Sequence, residues 1–236
     1  MLEEYLPTND WSEFFHYQFS MYHINNLNSF VSHEISNGSK VIPCGNEIFS
    51  PFQNTPLSKI QVVIIGKEPH PDYGSVGGFF VGQPQNQQPL SDLAIVLNEL
   101  ESDLGGKGDL ETLSGWSEQG VLMFNELMTT VQGSKLAHKN IGWEQLTKSI
   151  IEKINESCSN VIFLSWGGYA QDVCMHVDES KHEVIRTSSI TNHSGAYKKY
   201  GTTRNGIEYV PFIGSGCFSA ANKLLIESGR RPIVWL

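Results

Sequence analysis

The sequence predicts an α/β fold: a three-layer αβα arrangement around a short, mostly parallel central sheet. Two observations predict it. Apolar runs at 62–65, 121–124 and 161–164, with a weaker one at 183–187, alternate with stretches of helical spacing. The first three runs are solid rather than alternating, as expected of strands covered by helices on both faces. Each also ends in a polar or glycine-bearing turn, and the carboxyl edge of such a sheet is where open α/β folds hold ligands.

Taken in order, residues 9–36 carry Trp11, Phe14, Phe15, Tyr17, Phe19, Tyr22, Leu27, Phe30 and Val31 at mixed helical spacing. They predict one or two packing helices, with Asp10 or Ser12 as the cap. A connector with Pro43, Pro51 and Pro56 leads to a strand at 60–66. Leu93, Val96, Leu97 and Leu100 share one face of a helix over 90–104, which Gly105, Gly106 and Gly108 end. The second strand, 121–124, stops at Asn125. An amphipathic helix over 143–154 precedes the third strand, 161–164, which runs into Ser165-Trp166-Gly167-Gly168. A helix at 168–177, a fourth strand at 183–187, a further strand at 209–213 and a helix at 219–227 complete the chain. Residues 188–206 form the longest polar stretch and predict a functional loop.

At 236 residues with 39% hydrophobic and 11% aromatic content, the chain is expected to form one domain over 1–236. The net charge of −9 disfavours a broad nucleic-acid-binding surface but leaves room for a local basic face. Cys44, Cys158, Cys174 and Cys217 lack CxxC or Cys/His spacing, so reduced thiols and no metal site are expected. The opening residues show no charged-then-apolar leader, and no apolar run reaches membrane-spanning length. The expectation is a soluble, monomeric, intracellular protein of the cytoplasm, nucleus or nucleoid.

The densest chemistry lies in Gly66-Lys67-Glu68-Pro69-His70-Pro71-Asp72-Tyr73-Gly74, directly after the first strand. Glu68 could serve as a general base on water, stabilise a developing cation, or merely cap the next turn. Asn125 offers one acceptor and two donors, suited to reading the edge of a base or amide, or to closing a strand. His193 could polarise a leaving group from the polar loop or be a solvated loop histidine. His70 and His182 have core or turn roles as alternatives. Ser75-Val76-Gly77-Gly78 is neither GxGxxG nor a P-loop, and neither GxSxG nor HExxH occurs.

In order along the chain, these segments resemble the family 1 uracil-DNA glycosylases, from about Trp11 to Trp235. The residues that carry the likeness include Thr55-Pro56-Leu57, Gly120-Val121-Leu122-Met123-Phe124-Asn125, His138 with Gly142-Trp143-Glu144, and Pro232-Ile233-Val234-Trp235. Gly66-Lys67-Glu68-Pro69-His70-Pro71 stands where the family has Gly-Gln-Asp-Pro-Tyr-His. The resemblance implies a flipped uracil, cleaved hydrolytically from DNA without metal or cofactor. It places Glu68 at the water-orienting carboxylate and Lys67 beside the base. His70 falls at the tyrosine that excludes thymine's methyl group, and Val81, with Phe80 adjacent, at the stacking aromatic. Asn125 falls at the base-reading asparagine.

Aligned without gaps from His182, residues 189–194 stand at the family's His-Pro-Ser-Pro-Leu-Ser loop. Ser189 then occupies the catalytic histidine position and His193 the wedge; a shift of a few residues would make His193 the catalytic one. Ser91, Gly167 and Ser194 fall at DNA-contacting positions. Lys198 and Lys199 flank an apparent insertion over 198–211 and offer phosphate contacts. The expected partner is single- or double-stranded DNA. Two functions follow: a glycosylase of altered specificity for uracil or a 5-substituted uracil, or a weakened, accessory DNA- or protein-binding member of the fold.

Overall fold

In the computed structural model, which describes residues 2–71, 91–108, 113, 115–191, 196–197 and 200–236, the apolar runs pair as a four-stranded parallel sheet. We number its strands together with two short peripheral pairs: β1 (Val41–Ile42), β2 (Val62–Gly66), β3 (Val121–Asn125), β4 (Thr130–Val131), β5 (Ile162–Trp166), β6 (Glu183–Thr187), β7 (Gly201–Thr202) and β8 (Glu208–Tyr209). The central order is β3-β2-β5-β6. Register aligns Gly66 with Asn125, Ile64 with Leu164 and Trp166 with Thr187.

Alternate side chains of the central strands enter two separate cores, because neighbouring residues of a strand face opposite ways. Val63, Ile65, Leu122, Phe124 and Phe163 pack on one side. There they meet α1 (Ser12–Ser20), α2 (Tyr22–Ser36) and α5 (Trp143–Ser157). Val62, Ile64, Val121, Met123, Ile162 and Leu164 pack on the other, against α4 (Ser91–Leu104) and α7 (Cys217–Glu227). Both faces are therefore dry, which is why these strands carry no polar alternation. Two short helices complete the set, α3 (Ser50–Asn54) and α6 (Gly168–Val173). The predicted three-layer α/β fold is thus present, with the central sheet parallel throughout.

The second core is tied by charge as well as packing. Glu99, fully buried on α4, accepts Gly216 N–H at 2.8 Å and the Ser215 hydroxyl at 3.1 Å. One turn further on, Asp103 accepts Phe218 N–H at 3.0 Å and Ser219 N–H at 2.8 Å. Two carboxylates of one helix thus satisfy unpaired donors at the start of another, a favourable place for negative charge.

Several local expectations are corrected. Asp10 does not cap α1; it accepts Leu57 N–H at 2.7 Å and Ser58 N–H at 2.8 Å, closing the turn before β2. Neither does Ser12, which is the first residue of the helix, after Trp11. The expected strand at 209–213 is instead the hairpin β7–β8, followed by a single parallel bridge from Val210 to Thr187. Pro211, which has no N–H to give a ladder, stops the pairing there. His182 has the core role: its Nδ1 accepts Val161 N–H at 3.2 Å, and burial lowers its pKa. No helix among the described residues is long and apolar enough to cross a membrane.

Candidate active site

β3 lies on one side of β2 and β5 on the other, so the chain reverses its winding direction between β2 and β5. The crevice outside the strands at such a point is the expected ligand position. A cleft of about 450 Å³ opens there. Lys67, Glu68, His70, Lys135, Tyr169 and Ser189 are among its lining residues.

The floor is the turn after β2, held from two directions. Glu126 N–H donates to Gly66 O and Leu127 N–H to Lys67 O, both at 2.9 Å, which ties this turn to the end of β3. Glu68 Oε2 accepts Leu136 N–H at 2.6 Å. Leu136 itself sits at φ +57°, a left-handed conformation uncommon outside glycine. The carboxylate is thus fixed through one oxygen, and its second oxygen remains an acceptor for water.

The opposite wall is the turn after β6. Ser189 lines the cleft, but its hydroxyl lies 2.8 Å from Thr191 Oγ1 and accepts Thr191 N–H at 3.2 Å. This turn can approach β5 only because residue 167 is glycine. Gly167 has φ +87°, and a Cβ there would stand 2.6 Å from Ser189 Cβ. Gly167 N–H also donates to Thr187 O at 3.0 Å, clamping the two strand ends together.

Lys67 is half-buried, and its Nζ stands 4.5 Å from the centroid of the Tyr169 ring, a cation–π distance. Among the described residues no carboxylate oxygen forms an ion pair with it. Behind the turn, Glu126 has its pKa pushed up to about 7. Burial is the main cause, followed by the negative charges of Glu144 and Asp172, with Lys139 and Lys67 opposing.

The structure therefore brings Lys67, Glu68, His70 and Ser189 to one cleft, with Gly167 supporting it. Asn125 stands apart from that wall. It is 3% exposed, paired in register with Gly66, and its Oδ1 has no hydrogen-bond partner among the described residues. Ser91 opens α4, whose next residue, Asp92, reaches the cleft. Phe80, Val81, His193, Ser194, Lys198 and Lys199 lie outside the described residues. Tyr169 and Lys135 were missed from sequence. Tyr169 follows the third strand's glycine turn directly, a position that could have flagged it, whereas Lys135 carries no local signal. Among the described residues no group of three or more His, Cys, Asp or Glu side chains is placed to hold a metal ion.

Fold and cleft together define an α/β protein with an open cleft at the carboxyl edge of a parallel sheet. No family model matches the chain. The uracil-DNA glycosylase of Agrobacterium fabrum is 34% identical over 235 residues, covering 96% of this chain and 89% of that protein. The uracil-DNA glycosylase of Caenorhabditis elegans is 32% identical over 238 residues, covering 100% of this chain and 79% of that protein. Among solved structures, the crystal structure of mimivirus uracil-DNA glycosylase superposes with a TM-score of 0.90 at 26% identity. That match covers 100% of this chain and 89% of that one. A Y322L variant of the mimivirus protein, crystallised in complex with UGI, superposes with a TM-score of 0.88. The chain belongs to the family 1 uracil-DNA glycosylases.

Proposed function

We propose that this protein is a DNA N-glycosylase that hydrolyses the bond between deoxyribose and a flipped uracil or 5-substituted uracil. The observation that carries this is Glu68, fixed by Leu136 N–H at 2.6 Å on the floor of a cleft of about 450 Å³ at the sheet's switch point. A carboxylate anchored through one oxygen can orient a water with the other and stabilise positive charge developing on the sugar. Its stem is one methylene longer than the family's aspartate, and the Leu136 contact fixes where that longer stem ends.

The specificity differs from that of a strict uracil enzyme. His70 lines the cleft where a tyrosine would exclude a 5-methyl group, and an imidazole leaves a smaller, more polar wall. Asn125, buried with an unpartnered Oδ1 among the described residues, has the donor and acceptor set to read a base edge. Single- and double-stranded oligonucleotides bearing uracil, thymine or 5-hydroxymethyluracil, assayed for abasic sites, test both statements. Product from uracil and from at least one 5-substituted base is expected. No product from any of them at high protein concentration would remove the proposal.

One observation favours a second reading, an accessory factor that binds DNA or a protein without catalysis. The cleft wall after β6 presents at Ser189 a hydroxyl already bonded to Thr191. Binding of DNA or a partner that is indifferent to Glu68→Ala, with no abasic product, would select it.

A further inference from the structure

We infer that Lys67 is a catalytic residue that stabilises the negative charge of the departing base. The inference rests on the glycosylase reading above. It comes from how Lys67 is held in the cleft. Lys67 Nζ sits over the Tyr169 ring at 4.5 Å and has no carboxylate ion-pair partner among the described residues. An aromatic face attracts an ammonium group without neutralising it. The result is a half-buried ammonium group at the cleft, beside Glu68 but in no direct ion pair among the described residues.

Its backbone is fixed as well, since Lys67 O accepts Leu127 N–H at 2.9 Å. The other lysine of the cleft, Lys135, is solvent-exposed and correspondingly screened. Across the cleft, the Ser189 hydroxyl is engaged by Thr191. Lys67 is thus the better-placed of the two lysines to act on a ligand shielded from water.

The reaction creates the charge that this cation fits. Cleavage of the C1′–N1 bond leaves its electron pair on the base, delocalised over N1, O2 and O4. Water oxygen bonds to C1′ and gives its proton to the Glu68 carboxylate, and the base anion later takes a proton from solvent. A preorganised cation near the base contributes only as that anion develops, so it lowers the barrier rather than strengthening ground-state binding.

The test is single-turnover cleavage of uracil and of 5-fluorouracil from otherwise identical DNA, by the unsubstituted chain, Lys67→Met and Lys67→Arg. Fluorine withdraws electrons and makes the departing anion more stable, so it needs less help. Lys67→Met is expected to slow uracil release about 100-fold and 5-fluorouracil release about 10-fold or less. Lys67→Arg should stay within about 10-fold of the unsubstituted protein on both, and all three should bind DNA alike and show the same folded circular-dichroism spectrum. Equal slowing on both bases, or a loss confined to DNA affinity, overturns the inference. If the unsubstituted chain cleaves and Lys67→Met cleaves as fast, this inference alone falls. If the unsubstituted chain releases neither base, the glycosylase reading falls with it.

Discussion

The turns after β2 and after β6 form opposite walls of one cleft, yet they are held in different ways. The β2 turn is tied outward: Gly66 and Lys67 accept N–H groups from the end of β3, and Glu68 reaches Leu136, 68 residues away in sequence. The β6 turn is also anchored at its base, where Ser188 N–H donates to Val210 O at 2.8 Å, but at its tip the hydroxyl of Ser189 is spent on Thr191, and Gly167 allows the close approach to β5. Groups anchored by distant backbone keep their geometry when a ligand enters. Groups bonded within one turn must first give up those bonds. The contrast teaches that the β2 side carries the ionisable side chains Lys67, Glu68 and His70, while the described β6 side, Ser189 to Thr191, carries none.

The sharpest way to break this comparison is to remove the β2 carboxylate. Glu68→Ala should lower the single-turnover rate about 1,000-fold while DNA affinity changes little, because in the proposed reaction the carboxylate acts on water and the sugar. Loss of the Leu136 hydrogen bond should cost about 1–2 kcal/mol of stability, read by urea unfolding. A rate that survives Glu68→Ala would leave the β2 turn a structural brace and nothing more.

A second change strikes the β6 side through packing alone. Gly167→Ala places a methyl group 2.6 Å from Ser189 Cβ, on a backbone at φ +87°. Strain and displacement together should cost about 2–3 kcal/mol in urea unfolding. The rate should fall because the wall shifts, even though no reacting group has been touched. If Gly167→Ala is as stable as the unsubstituted chain, the β6 turn is not fixed by that contact.

Legibility in the sequence divided along similar lines. The central strands were readable because Val62 to Ile65, Val121 to Phe124 and Ile162 to Leu164 are solid apolar runs, and burial on both faces demands that pattern. Glu68 and Asn125 were flagged because strand ends are few and polar residues there stand out. The hairpin was not readable: Gly201, Thr202 and Glu208 lack apolar alternation, and their pairing is short and peripheral. Nor was the Glu68–Leu136 bond, since its donor is a backbone amide that any residue supplies. The meeting of Lys67 with Tyr169 depends on β2 and β5 being neighbours, which a sheet order, rather than a local pattern, decides.

The smallest expected effect separates the two turns by pH. Glu126 gives its N–H to Gly66 O, and its own carboxyl has a pKa of about 7 against an ordinary 4.5. The folded state therefore binds a proton that the unfolded chain has already released between those two values. Stability from this group is complete below about pH 4.5 and lost as pH rises through 7. Solvent screening of a half-buried group reduces the full linkage, leaving ~1–2 kcal/mol across the window. Urea unfolding at steps across this range should show stability falling with rising pH, and Glu126→Gln should flatten that slope. Glu144 and Asp172 press on the same carboxyl and Lys67 relieves it, so Lys67→Met should steepen the loss in the unsubstituted Glu126 background. The β6 turn carries Ser189, Ile190 and Thr191, none of which titrates in this range, so Ser189→Ala should leave the slope unchanged. An identical pH profile for Glu126→Gln and the unsubstituted protein would show that the β2 turn is no more sensitive to charge than its counterpart across the cleft.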